Sequence, residues 1–519
     1  MDLALEAKVG QLLMVGYPRR EITPFLRNLI SEYNLGGVIH FARNVGELRR
    51  FAELNAELQE LAGRSPSGAP LFSAVDQEGG TIARLTQGLA VAPSAMALGA
   101  AGSPELTKQV CAAAACDLRA VGINMNLAPV VDVNSNPHNP VIGVRSFGED
   151  PHLVASLGAA AIQGYQRYLA AVAKHFPGHG DVDLDPHHHL PVLSHGRQRL
   201  EEIELVPFRA AVAAGVAGIM AAHVVFPALE SREKLPASLS PRVLTGLLRE
   251  ELGYEGLIIT DCMEMAAIKQ TVGTVEGAVQ AIAAGADLAI ISHSEDLQAQ
   301  ALQALVAAVR EGRIPEERID QSLQRILKLK RHLARQLDLK PGGPEHVEIM
   351  REAIRRSITL VRDGGNLPLG GEPILVVEFQ EQAATQAEDV LLGVGTLARA
   401  LQEKGSAKLQ AAAVGSSGSD QELAAVLAQA RQAAKVLVVT SDAHRNPAQV
   451  GLVGALLAEH GRVIVVGSRT PYELQAFPEV PTYIAAYGSR PLVWDVVAEV
   501  LLGKAQAGGR LPVSIPGLT

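Results

Sequence analysis

The chain has 519 residues, of which 48% are hydrophobic and 19% are charged, and its formal net charge is −9. This length is too great for one ordinary domain, and the apolar content is sufficient for two or three packed cores. The acidic balance argues against a nucleic-acid partner or an anionic membrane surface, because both require a basic face on the protein.

The N-terminal segment MDLALEAKVGQLLMVGYPRR lacks the basic stretch, apolar core and cleavage site of a secretory signal. The longest apolar run, AGVAGIMAAHVVFPAL, is too short to span a bilayer and contains His223. Cys111, Cys116 and Cys262 are too few, and odd in number, to form a disulfide framework. We therefore expect a cytoplasmic protein with no membrane partner.

Short apolar runs alternate with helical patterns through the first two-thirds of the chain. Helical spacing is seen, for example, in ITPFLRNLISEY and GAVQAIAAG. Such alternation predicts a parallel sheet buried on both faces, and eight units predict a (β/α)₈ TIM-type barrel; an open doubly wound sheet is the alternative. The predicted strands are 11–17, 36–41, 70–75, 123–133, 169–175, 217–223, 256–260 and 286–292.

Polar or ionisable residues follow nearly every predicted strand of this barrel. Functional residues of such barrels lie just past the carboxyl ends of the strands, so a ring of polar groups there indicates an enzyme pocket. The residues at these positions are Arg43, Asp76, Asp132, Lys174, His175, His223, Asp261, Ser292 and His293.

The pattern changes after KPGGP at 340–344, which reads as a linker. A helix over EHVEIMREAIRRSITLVRD and strands at 373–379, 435–442, 462–468 and 482–488 predict an open α/β/α sandwich. This second segment has neither G-x-G-x-x-G nor a P-loop, so no nucleotide cofactor is expected. The predicted division is a catalytic barrel over 1–340 and a C-terminal α/β domain over 341–519.

Two features carry the candidate chemistry. Asp261 directly follows an apolar strand, where it is suited to act as a nucleophile, a base or a substrate acceptor, and equally as a helix N-cap. The loop KHFPGHGDVDLDPHHHLP (174–191) is rich in His and Asp, but its spacing is irregular for a metal site. Asp185 and His187 are two residues apart, so in an extended chain they face the same way and form a candidate proton-transfer pair. His188 and His189 read as solvated loop residues.

This loop resembles the corresponding loop of glycoside hydrolase family 3, in its β-N-acetylglucosaminidase branch, which has K-H-F-P-G-H-G-D, a spacer, D-S-H and L-P. The resemblance extends over nearly the whole chain. Its other motifs are GGVIHFARN (36–44), VDQEGGTIARL (75–85), LAPVVDVNSNP (127–137), RSFGEDP (145–151), IMAAHVVFP (219–227), TDCMEM (260–265), NLPL (366–369) and GGRLPVSIPG (508–517).

The resemblance implies roles for individual residues. Asp261 matches the nucleophile, His187 the general acid/base, and Asp185 its dyad partner. Residues that match contacts to the terminal sugar are Asp76, Arg84, Arg145, Lys174 and His175, with His223 and Asp132 as pocket neighbours. The chain departs from the branch at Pro186, where serine is usual, at Thr81, where arginine is common, and at Cys262, where a second acid is common.

The implied activity is a retaining exo-β-N-acetylglucosaminidase acting on cell-wall muropeptides or chito-oligosaccharides, without cofactor or metal. Three alternatives remain open: a β-glycoside phosphorylase, a β-glucosidase or β-xylosidase, and a non-enzymatic sugar-binding protein. The low aromatic content of 4% favours a small polar pocket over a long polysaccharide groove. The residues themselves do not predict the oligomeric state.

Overall fold

The computed structural model describes residues 3–187, 189–335, 337–380, 383, 388, 396–406 and 408–518. Eight parallel strands form a closed barrel, and β1 pairs with β10 to complete it. The barrel strands are β1 (Leu13–Val15), β2 (Gly37–His40), β3 (Phe72–Val75), β6 (Met125–Asn126), β7 (Ala170–Phe176), β8 (Gly218–Ala221), β9 (Leu257–Cys262) and β10 (Leu288–Ile291). A small hairpin, β4 (Gln77–Gly79) and β5 (Ile82–Ala83), follows β3. The predicted TIM-type barrel is confirmed.

One predicted strand is much shorter than expected. Regular pairing of β6 ends at Asn126, although the apolar run continues to residue 133. Pro129 has no backbone N–H, so a regular ladder cannot pass through it. The segment instead makes irregular hydrogen bonds to β7, including Val131 N–H to the Lys174 carbonyl at 2.8 Å.

Helices cover the outside of the barrel, and several begin where the sequence provides a cap followed by proline. Thr23, Ser103 and Asp150 accept hydrogen bonds from the first helical turn, and a proline follows each of them. A further helical segment, Arg242–Glu251, lies between β8 and β9. The helices are α1 (Leu5–Gly10), α2 (Pro24–Ser31), α3 (Leu48–Gly63), α4 (Ala95–Ala101), α5 (Pro104–Ala120), α6 (Pro151–Tyr165), α7 (Arg197–Glu202), α8 (Leu205–Ala213), α9 (Ala266–Lys269), α10 (Thr274–Ala284), α11 (Glu295–Arg310) and α12 (Glu316–Leu333).

The second unit is a six-stranded sheet with helices, in the strand order β11-β16-β15-β14-β12-β13. All neighbours are parallel except β11 and β16, which are antiparallel. The strands are β11 (Thr359–Arg362), β12 (Ile374–Phe379), β13 (Leu409–Val414), β14 (Lys435–Thr440), β15 (Val463–Gly467) and β16 (Thr482–Ala485). The helices are α13 (Pro344–Ser357), α14 (Thr396–Glu403), α15 (Asp420–Ala430), α16 (Pro447–Glu459) and α17 (Pro491–Leu501).

Neither edge strand of this sheet was predicted from the sequence. The helix predicted over EHVEIMREAIRRSITLVRD ends at Ser357, and TLVR forms the edge strand β11. The other edge strand, β13, has the sequence LQAAAV and is largely exposed, so it lacks the apolar run of a buried strand. The four buried strands β12, β14, β15 and β16 agree with the prediction.

The two units share a buried interface. Met96, Ala97, Ala100 and Val144 of the barrel belong to one apolar cluster with residues of the second sheet. Helix α13 contributes Met350 to the barrel core, whereas its Ile354 packs in the second unit. The predicted division at residue 340 therefore lies before a helix that packs on both sides. Among the described residues, no helix combines the length and apolar character needed to cross a bilayer.

Candidate active site

A cavity of about 450 Å³ opens at the carboxyl ends of the barrel strands. Its walls combine apolar side chains with an unusual number of charged groups. The titratable residues that line it are Arg43, Asp76, Glu78, Arg84, Arg145, Lys174, His175, His179, His187, Asp261, Cys262, Glu264, His293 and Glu388. The closed barrel thus brings strand ends from distant parts of the sequence to one place, as the ring of polar residues predicted.

Two acids and two cations form a buried network on one side of the cavity. Lys174 Nζ lies 2.7 Å from both Asp76 Oδ1 and Glu78 Oε1, and Arg145 pairs with Glu78 through two hydrogen bonds of 2.9 Å. Burial would raise the pKa of Glu78, but Arg145 and Lys174 outweigh it and hold that pKa well below its usual range. Glu78, Lys174 and Arg145 therefore stay charged, and together with Asp76 they present fixed donors and acceptors to a polar ligand.

Asp132 organises the histidines at the start of the long loop. Its carboxylate is fully buried and lies 2.7 Å from His175 Nδ1, and it also accepts the backbone N–H of His179 at 2.7 Å. Burial would raise the pKa of Asp132, but its contacts with His175 keep that pKa below the usual value. Asp132 does not line the cavity itself; it orients His175, whose Nε2 lies 3.5 Å from Arg145.

His179 is the second histidine that faces the cavity from this loop. It is 3% exposed, its ring packs against His175, and neither ring nitrogen has a hydrogen-bond partner among the described residues. Burial, reinforced by His175, lowers its pKa to about 4, so the ring is neutral near pH 7. The ring is therefore a neutral part of the cavity wall, and both of its nitrogens are buried from solvent.

Asp261 lies near the end of β9, with its carboxylate directed into the same cavity. Its Oδ1 accepts the backbone N–H of Cys262 at 2.7 Å. Burial would raise its pKa, but His223, His175 and that N–H hold the pKa below the usual value, so the group is an anion. His223 is buried behind Asp261, where its ring contacts Ser238 Oγ at 2.7 Å and the Cys262 carbonyl at 3.0 Å.

Asp185 and His187 form the local pair that the sequence predicts. Asp185 Oδ1 lies 2.7 Å from His187 Nδ1 and accepts the His187 backbone N–H at 2.8 Å. The intervening Pro186 lines the cavity, and its carbonyl accepts the N–H of Ala267, six residues beyond Asp261. This contact ties the loop to the segment that follows the candidate nucleophile. His187, in the loop after β7, and Asp261, on β9, thus border one cavity.

The histidines of this loop contact two different carboxylates. His175 and His179 contact Asp132, and His187 contacts Asp185. His189 is exposed, and His188 lies outside the described residues. Among the described residues of this loop, no three ligand groups come close enough to hold one metal ion.

Several residues of the cavity were not singled out from the sequence. Glu78 lies two residues after Asp76 in the quoted motif, so the alternation of a strand provided a signal for it. Glu388 comes from the second unit, where it forms an ion pair with Arg469, which in turn contacts Asp442 at 3.0 Å. No local pattern distinguishes Glu388 in the sequence. Arg84, by contrast, was predicted, and it lines the cavity 3.9 Å from Asp76.

Comparison with protein families and known proteins finds sequences similar to this chain. Residues 4–329 match the model of the glycosyl hydrolase family 3 N-terminal domain. The chain is 31% identical to Beta-hexosaminidase A of Pseudoalteromonas piscicida, over 95% of this chain and 91% of that protein. It is 29% identical to a Beta-N-acetylglucosaminidase/beta-glucosidase of Cellulomonas fimi, over 99% of this chain and 94% of that protein.

A solved structure is similar over its whole length. A glycoside hydrolase family 3 beta-N-acetylglucosaminidase from Paenibacillus sp. str. FPU-7 has 44% sequence identity and a TM-score of 0.95, and 100% of each chain is covered. The likeness therefore includes the second unit as well as the barrel.

Proposed function

The chain belongs to glycoside hydrolase family 3 and is a glycosidase, and from that premise we propose that it is a retaining exo-β-N-acetylglucosaminidase. The observation that carries the proposal is the common cavity of Asp261 and His187, whose ring contacts Asp185. Two of the relatives named above carry β-N-acetylglucosaminidase in their descriptions, and a third is described as a β-hexosaminidase. The specificity for N-acetylglucosamine is proposed on those likenesses.

In the proposed first step, Asp261 attacks the anomeric carbon and the glycosidic bond breaks. The ionised state of Asp261 suits a nucleophile, because the low pKa keeps its electron pair available. His187 donates its Nε2 proton to the departing oxygen, since its Nδ1 is engaged by Asp185. The product is a glycosyl ester on Asp261, and the free sugar hydroxyl leaves.

In the second step, His187 accepts a proton from water, and the resulting hydroxide attacks the glycosyl ester. Two displacements at one carbon give net retention of configuration. Cys262, the neighbour of the nucleophile, is a poor competitor for the first step, because burial raises the pKa of its thiol to about 12.

The charged network is proposed to hold the terminal sugar. Asp76 and Glu78 are acceptors for sugar hydroxyls, while Lys174, Arg145 and Arg84 are donors. Because these groups are fixed by one another before a ligand arrives, little side-chain order is lost on binding. The cavity volume of about 450 Å³ lies toward the small end for ligand sites and supports an exo-acting enzyme.

We propose that the second domain completes this pocket through Glu388. Its side chain is almost fully buried, and Arg469, held by Asp442, fixes its carboxylate at the cavity wall. An anchored carboxylate at this position is suited to accept a hydrogen bond from the substrate. The natural substrates proposed are chito-oligosaccharides or cell-wall muropeptides, with a cytoplasmic location in the latter case.

The decisive experiment compares aryl β-glycosides that differ only at the second carbon of the sugar. N-acetylglucosaminide should be cleaved with a much larger kcat/KM than glucoside or xyloside, and the first product should retain the β-configuration. A preference for glucoside or xyloside would reject the proposed specificity. Added phosphate should not change the rate; formation of a sugar phosphate would instead identify a phosphorylase.

A further inference from the structure

A second group of polar side chains borders the cavity beside Asp261 and has no part in the mechanism above. Cys262, Glu264 and His293 each offer one ligand atom, and these atoms all lie within 4.8 Å of one another. Across the described part of the chain, this is the one set of three His, Cys, Asp or Glu groups gathered so closely. All three line the same cavity as Asp261, so a solute that enters the cavity can reach them.

Neighbouring strands of the barrel hold the three groups together. Cys262 ends β9, Glu264 lies two residues beyond it, and His293 lies two residues beyond the end of β10. Strand β10 pairs directly with β9, with Ile290 opposite Cys262. The pairing of β9 with β10 therefore brings the three groups together, with Cys262 in the ladder and Glu264 and His293 just beyond it.

The orientation of Glu264 is also fixed, whereas the His293 side chain is exposed. Glu264 accepts the backbone N–H of His293 at 2.7 Å on one oxygen and that of Ser294 at 3.1 Å on the other. Each carboxylate oxygen keeps a further lone pair for a ligand. The ring of His293 rests against Phe41, with 5.4 Å between ring centres, at the exposed edge of the cavity.

We propose that Cys262, Glu264 and His293 form a binding site for zinc, or a cation of similar softness, that inhibits the enzyme when occupied. A thiolate, an imidazole and a carboxylate together are a typical zinc ligand set, whereas Mg²⁺ and Ca²⁺ prefer oxygen alone. In a tetrahedral site the ligand atoms lie about 3.5 Å apart. The exposed His293 side chain can close that gap by rotation.

The charges around the cluster determine how strongly it binds a metal ion and how the bound ion affects the enzyme. On binding, the thiol proton of Cys262 passes to solvent, so a thiolate and a carboxylate offset the two charges of the metal. Arg43 opposes binding by its charge, although its hydrogen bonds go to the backbone carbonyls of Tyr17 and Ser292. Because Cys262, Glu264 and His293 line the same cavity as Asp261, an ion held there competes with a sugar for that cavity. Zinc is accordingly an inhibitor and has no catalytic role.

The first test measures zinc binding and needs no turnover, so its outcome is independent of the proposed sugar specificity. Metal-free full-length protein is titrated with zinc chloride in a calorimeter. We expect one ion per chain, and an affinity at least tenfold weaker in each of His293→Asn, Cys262→Ser and Glu264→Gln. His293 is exposed, so its replacement should leave the fold intact, which circular dichroism can verify.

The matched control is the double variant Cys116→Ser, His152→Asn, which removes one thiol and one imidazole away from the cluster. It should bind zinc like the parent protein. Cobalt offers a second readout: a thiolate-to-cobalt charge-transfer band should appear in the parent protein and be absent in Cys262→Ser. Unchanged zinc affinity in both His293→Asn and Cys262→Ser, or no binding at all, would overturn the proposal.

The second test concerns inhibition. Zinc should raise KM without lowering kcat on an aryl N-acetylglucosaminide, and EDTA should restore the rate. The zinc concentration for half inhibition should rise at least tenfold in His293→Asn and stay unchanged in the control. EDTA alone should not alter the metal-free enzyme. Inhibition that does not compete with substrate, or that persists fully in His293→Asn, would show that the cation acts elsewhere.

Discussion

Replacement of His187 by alanine tests the proposed mechanism at its most specific point. Asp185 engages Nδ1 of the imidazole at 2.7 Å, which leaves Nε2 as the atom that can give a proton to the departing oxygen. His187→Ala removes that donor, whereas the carboxylate of Asp261 on β9 keeps its own contacts with Cys262 and His223. The variant should therefore still form the glycosyl ester when the leaving group needs no proton.

The expected magnitude follows from the role assigned to the ring. A positioned general acid contributes a factor of about 10² to 10⁴, or about 3 to 5 kcal/mol of the activation barrier. Diacetylchitobiose, with a sugar hydroxyl as leaving group, should lose this full factor in kcat/KM. A 2,4-dinitrophenyl glycoside should lose less than tenfold in kcat/KM, because dinitrophenolate departs without protonation.

The second step also needs His187, so kcat on the dinitrophenyl substrate should fall while KM falls with it. Azide attacks the glycosyl ester without general-base help, and it should restore kcat and yield a β-glycosyl azide. The matched control is His189→Ala in the same loop, which should resemble the parent enzyme on both substrates. An equal loss on both substrates in His187→Ala, with no azide product, would refute the role of His187 as the acid.

Three other predictions address different parts of the molecule. Asp261→Ala should lower turnover of an aryl N-acetylglucosaminide by several orders of magnitude, and rates near those of the parent enzyme would exclude Asp261 as the nucleophile. Glu388→Gln should lower kcat/KM by about tenfold or more through the lost charge-assisted hydrogen bond to the substrate; a lower melting temperature with unchanged kinetics would mean that Glu388 serves only the Arg469 ion pair. Glu473 is buried in the second domain, and burial raises its pKa to about 7. Its carboxyl group is therefore protonated in the folded state over a range where the unfolded chain has already ionised, so folding stability should fall as pH rises from about 4.5 to 7, by roughly 3 kcal/mol. Denaturant titrations should show a shallower pH dependence for Glu473→Gln over this window, and identical slopes would contradict the assignment.

The sequence was sufficient to predict the barrel, because the pattern that indicates it is local and is repeated along the chain. Each of the eight barrel strands is a short apolar run between helical patterns, and buried parallel strands require such runs. The two edge strands of the second sheet lacked that signal, since an edge strand is partly exposed and need not be apolar throughout. The Asp185–His187 contact was predicted, but on the assumption of an extended chain; in the structure Pro186 and His187 lie in a turn, where the Asp185 carboxylate accepts the His187 backbone N–H and also contacts the ring.

Only the tertiary structure decided which distant groups meet. Glu78 joins Lys174 and Arg145 across the barrel mouth, Glu388 reaches the cavity from the second domain, and Cys262 and Glu264 gather with His293. The physical reason is that barrel closure and domain packing are set by the sum of many apolar contacts. A single polar residue forms no periodic pattern in the sequence, so the residues that it contacts in the folded protein cannot be predicted from it. The sequence therefore determined the elements and the local pair, and the closed fold determined the site.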